Sequence, residues 1–112
     1  MARKKRGFKA GMMSTVCVEP VVRLCAARPE GRISDADLLA ELNVIFDQGH
    51  DPRFAATVRR MTSPQDSDNN VVSAGYVERT DDGVRITDSG RQYVAGLGDT
   101  HMLHIMRSKK LV

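Results

Sequence analysis

Apolar positions recur at helical spacing through the first half of the chain and alternate over a short stretch of the second, which predicts helices followed by a hairpin. Val18, Val21, Val22 and Cys25, with Leu24 beside them, share one face of a helix over about residues 15–28. Pro20 is tolerated only in a first turn, so the regular helix is expected to start near Glu19 rather than at Ser14. Arg28-Pro29-Glu30-Gly31 ends it. Ser34 then offers a hydroxyl N-cap with Asp35 and Asp37 in the first turn. Leu38, Leu42, Ile45 and Phe46, reinforced by Leu39, make the second helix amphipathic up to Asp47. Gln48-Gly49-His50-Asp51-Pro52 reads as a turn with Asp51 as N-cap and Pro52 in the first helical position. Phe54, Ala55, Val58 and Met61 share one face of a third helix, while Arg53, Arg59 and Arg60 project elsewhere.

Thr62-Ser63-Pro64-Gln65-Asp66 repeats the start signal and predicts a fourth short helix over about residues 64–74, closed by Gly75 in the left-handed conformation. Two helices or one helix kinked at Pro64 both fit residues 52–74. After Gly75 the period changes. Residues 76–80 read as a strand, Asp81-Asp82-Gly83 as a tight turn whose glycine supplies a positive φ, and residues 84–87 as the returning strand. Thr87 or Asp88 caps a helix bearing Tyr93, Val94 and Leu97, terminated by Gly96 and Gly98. The remainder, residues 99–112, predicts a short helix with Met102, Leu103, Ile105 and Met106 ahead of a basic end.

At 112 residues and 41% hydrophobic, the chain has material for one small domain and one core. No apolar run approaches the roughly 20 residues of a membrane span, and the stretch after the basic start is too polar for a secretory leader. A cytoplasmic, nucleoid-associated protein without membrane contact is expected. The net charge of +3 is unevenly spread. Arg3, Lys4, Lys5, Arg6 and Lys9 open the chain, and Arg107, Lys109 and Lys110 close it, with no acid in either stretch. The body between them is net acidic, so any grip on a polyanion must come from the ends and a local Arg patch. Cys17 and Cys25 would lie about 12 Å apart along one helix, too far for a disulfide, and read as small buried hydrophobes. With His50, His101 and His104 they make no spacing typical of zinc, and no catalytic set or phosphate loop is apparent. No metal or cofactor is expected, and no enzymatic activity.

Gly75-Tyr76-Val77-Glu78-Arg79 entering the hairpin, and Val84-Arg85-Ile86-Thr87-Asp88-Ser89-Gly90-Arg91 leaving it, resemble the winged helix-turn-helix superfamily. The similarity is to modules of bacterial transcriptional regulators and of the N-terminal part of modification-dependent restriction proteins. It implies a mainly α fold with a small antiparallel β-hairpin (α+β) and an extra C-terminal helix. The expected organisation is a flexible basic arm over 1–13, the winged-helix domain over 14–98, and a C-terminal segment over 99–112. The resemblance further implies that the helix before the wing enters a major groove and that the wing tip touches phosphate or a minor groove.

The segment in that recognition position, residues 65–73, carries Asp66 and Asp68 and no base. Gln65, Asn69 and Asn70 are its candidates for base edges. The tip is acidic at Asp81 and Asp82, flanked by Arg79 and Arg85. The stronger cationic surface is Arg53, Arg59 and Arg60 with the arm residues Arg3, Lys4, Lys5, Arg6 and Lys9. Double-stranded DNA is the expected partner. The alternative is a protein-interaction or inhibitor module, such as a phage accessory protein, whose acidic surfaces meet a basic partner. Met102, Leu103, Ile105 and Met106 are the candidate dimerisation stripe of a homodimer.

Overall fold

The first helix runs past Pro20 instead of starting at it. A computed structural model describes residues 10–47, 52–63 and 70–112, with the backbone alone over 10–17. Its elements are α1 (Ala10–Ala27), β1 (Arg32–Ser34), α2 (Asp35–Phe46), α3 (Pro52–Met61), β2 (Val77–Arg79), β3 (Gly83–Ile86), α4 (Asp88–Leu97) and α5 (His101–Ser108). An interior proline costs a helix about 3 kcal/mol through its missing N–H and its ring. Just beyond it Val21, Val22, Leu24 and Cys25 are almost wholly buried. Each such side chain gains about 1.5–3 kcal/mol on burial, so packing outweighs the defect. The helix therefore takes in Ala10–Met13, which the sequence assigns to the arm.

Every other helix packs on α1. The shared core joins Leu24, Leu38, Leu42, Phe54, Met61, Val71, Val77, Val84 and Met106. The caps follow the sequence reading at three points. Ser34 Oγ accepts from Asp37 N at 3.1 Å, Thr87 Oγ1 accepts from Gly90 N at 3.0 Å, and Pro52 opens α3. Gly98 caps α4, whereas Gly96 stands inside it.

The sheet has three antiparallel strands in the order β1-β3-β2, one more than the hairpin alone. β1 escapes the pattern because it is three residues long and has one apolar residue, Ile33. Cross-strand partners share a face, so the register sorts the side chains. Ile33, Val84 and Arg79 lie opposite one another on the helix-facing side with Val77 and Ile86; Arg32, Arg85 and Glu78 line up on the outer side. Gly83 is glycine for a different reason from the one expected. Its φ is not positive; instead a Cβ there would sit 1.9 Å from Ile33 O, so the strands touch backbone to backbone. Gly75 does take the left-handed conformation, with φ +85°.

Two expected features change. Of the fourth helix expected over 64–74, residues 64–69 lie outside the described residues and 71–75 form turns, so the last described helix before the hairpin is α3. The C-terminal helix folds back onto α1: Leu103 and Met106 are 7% and 0% exposed within this single chain, which removes both from a free dimerisation stripe. Met102 and Ile105 remain half-buried. The fold-back is tied by Glu19, whose carboxylate accepts from Arg23 Nε at 2.8 Å and from the Thr100 hydroxyl, while Thr100 also caps α5. Arg23 donates onward to Gly98 O at 2.9 Å.

Candidate nucleic-acid interface

The amphipathic spacing of α3 turns Phe54, Thr57, Val58 and Met61 inward and leaves Arg53, Arg59 and Arg60 exposed. Arg59 and Arg60 stand in the last turn, where the helix dipole favours a cation. Among the described residues no carboxylate pairs with either.

A helix end exposes carbonyls that need donors. At α3 side chains supply several of them. The Thr62 hydroxyl donates to Val58 O at 2.8 Å, and the Ser63 hydroxyl to Arg59 O at 2.8 Å. Asn70 Nδ2 donates to Arg60 O at 2.9 Å and to Ser63 O at 2.6 Å, and Val71 N closes Met61 O at 3.1 Å. Thr62 and Ser63 thus finish this helix; the residues they were expected to lead into, from Pro64 to Asn69, lie outside the described residues. Asn70 is correspondingly no base reader. It is 2% exposed, and its Oδ1 is used up in accepting from Val72 N and Ser73 N.

Arg79 also departs from expectation. It lies opposite Val84 on the inner side of the sheet, and its guanidinium grips the Asp35 carboxylate twice, at 3.0 and 2.9 Å, and reaches Thr62 O at 3.2 Å. The Asp35 hydrogen bond pushes the Arg79 pKa further up, so the cation is permanent and already engaged. Arg85 stays on the outer side but binds Glu78 at 2.7 and 3.0 Å. Its cross-strand neighbour Arg32 has a loose partner, Glu30 at 3.9 Å. The outer row therefore sets two guanidiniums side by side, a repulsion that Glu78 on Arg85 and Glu30 near Arg32 offset.

The hairpin tip is short and fastened. Thr80 N donates to Gly83 O at 2.9 Å, Gly83 N to Thr80 Oγ1 at 3.1 Å, and Asp35 N to Asp82 O at 2.7 Å. Asp81 and Asp82 are exposed there. Between α2, α3 and β2 runs a groove of about 330 Å³ bordered by Arg59 and Arg79.

The structure thus joins Arg53, Arg59 and Arg60 on one helix and commits Asn70, Arg79 and Arg85 elsewhere. Arg3, Lys4, Lys5, Arg6, Lys9, Gln65 and Asn69 lie outside the described residues. Sequence reading missed Asp35, Thr62 and Ser63 as fasteners of this surface; for Asp35 nothing local points to a partner 44 residues away. Among the described residues no group of three His, Cys, Asp or Glu side chains is placed to hold an ion, and no helix is long and apolar enough to cross a membrane. Compared with protein-family models, with curated proteins and with solved structures, the chain has no match in any of the three.

Proposed function

We propose that this chain is a DNA-binding protein of winged helix-turn-helix type, a small regulator or nucleic-acid-associated accessory protein. The observation that carries the reading is α3, the last described helix before the hairpin, with Arg53, Arg59 and Arg60 all exposed. The element order and the sheet order β1-β3-β2 support it. Arginines on α3 meet phosphates and base edges, and the arm cations Arg3, Lys4, Lys5, Arg6 and Lys9 add backbone contacts. Each neutralised phosphate steepens the logarithmic salt dependence by about 0.9, so the arm and patch together give a steep decline in affinity with salt.

Fluorescence polarisation on duplex DNA at about 50 mM salt tests this. Binding should weaken with Arg59→Ala/Arg60→Ala and again on deleting residues 1–9, with the salt slope falling each time. Absence of binding to any duplex overturns the reading.

A second reading is favoured by one observation, the exposed Asp81 and Asp82 at a fastened tip. An interaction or inhibitor module would present that acidic turn to a basic protein surface. Asp81→Asn/Asp82→Asn separates the two: it should raise DNA affinity on the first reading and abolish partner capture on the second.

A further inference from the structure

We infer that the groove between α2, α3 and β2 binds a small monoanionic amphiphile, a carboxylate on a short apolar body. Resting on the reading of α3 as the DNA-contacting helix, we further infer that its occupation weakens DNA binding. The volume, about 330 Å³, is at the low end of the roughly 300–1,000 Å³ typical of small-molecule sites. That suits a compact ligand and excludes a bulky one. Leu39, Ala55 and Val58 form an apolar wall.

The polar rim decides the charge of the ligand. Asp35 and Arg79 border the groove as a doubly hydrogen-bonded pair and offer no net charge. The hydroxyls of Thr62 and Ser63 spend their protons on Val58 O and Arg59 O, so toward the groove they act only as acceptors. Arg59 is left as the charged donor with no carboxylate partner among the described residues. A guanidinium accepts a planar carboxylate in a two-point contact. One unpartnered guanidinium balances one negative charge, so a dianion such as a phosphate monoester would leave its second charge unmatched among the acceptor oxygens of Thr62 and Ser63. A short alkyl or aryl carboxylate satisfies all of these conditions: its body covers Leu39, Ala55 and Val58 while its head meets Arg59. Because Arg59 is also exposed on α3, a bound carboxylate withdraws one cation from the DNA-facing surface and sets an anion beside Arg60.

The probe is hexanoate, titrated into the full chain at constant ionic strength and followed by ¹H–¹⁵N correlation spectra. Shifts should saturate and map to Leu39, Ala55, Val58, Arg59 and Ser63. Neutral hexanamide should bind at least about tenfold more weakly, as should Arg59→Ala. Ala55→Leu, which fills the groove and keeps the arginine, should block hexanoate while the spectrum stays folded. Saturating hexanoate should then lower duplex affinity severalfold relative to matched chloride. No saturable response up to about 20 mM, shifts mapping elsewhere, or equal binding of hexanamide overturns the site. Saturable hexanoate binding by a chain with no DNA affinity overturns the nucleic-acid reading alone, whereas unchanged DNA affinity in a chain that binds both overturns the coupling.

Discussion

Replacing Asn70 by alanine should unfasten the C-terminal end of α3. The side chain is 2% exposed and makes four hydrogen bonds, donating to Arg60 O and Ser63 O and accepting from Val72 N and Ser73 N. A net contribution of about 0.5–1.5 kcal/mol each, discounted where water can reach a released partner, gives a loss of about 3 kcal/mol. A small domain has about 5–15 kcal/mol in all, so this is a large fraction. Thermal unfolding followed by circular dichroism should show a fall of roughly 10–20 °C. Asn70→Asp sharpens the test. Its carboxylate keeps the bonds from Val72 N and Ser73 N but sets an oxygen against the Arg60 and Ser63 carbonyls, so near neutral pH it should be no more stable than the alanine variant. A loss below about 1 kcal/mol would refute the role as a fastener. Unchanged stability with weakened duplex binding would return Asn70 to the base-contacting role.

Gly83→Ala should cost about 3 kcal/mol or prevent folding, because its Cβ has nowhere to go against Ile33 O; a urea midpoint within error of wild type would refute the close approach. Met106→Ala should lose about 2–5 kcal/mol with no change in sedimentation mass, since Met106 packs into its own chain; a fall in mass without a fall in stability would restore the dimer interface. Burial pushes the Cys25 thiol up to about 12 from an ordinary value near 9. The folded chain holds its proton where the unfolded chain releases it, so this stabilisation is complete below about pH 9 and is lost as pH rises toward 12. Urea midpoints should fall across that window, and Cys25→Ala should flatten the fall; an identical slope in the variant would refute the cause.

The longer amphipathic stretches were legible because each carries its own signal. Leu38, Leu42 and the Ser34 cap announce α2 without reference to anything distant, and Tyr76 to Thr87 shows both alternation and a turn. What failed depends on partners far along the chain. β1 is a strand because β3 pairs with it, not because of Arg32-Ile33-Ser34 itself. Pro20 is overridden by core packing that no local rule contains. The bonds from Thr62 and Ser63 back to Val58 O and Arg59 O escaped notice because a hydroxyl beside a proline carries no local mark of the carbonyls behind it. For the candidate site, α3 amphipathicity exposed its three arginines correctly. Arg79 was misjudged because one residue of register decides whether a strand side chain meets solvent or Asp35.

Helix ends ordinarily fray, and a surface that frays must be put in order before it can make contacts. Here the closing turn is already held by Thr62, Ser63 and Asn70, so the backbone beneath Arg59 and Arg60 arrives rigid. Whatever docks there meets a fixed template, and adjustment of shape falls to the visitor.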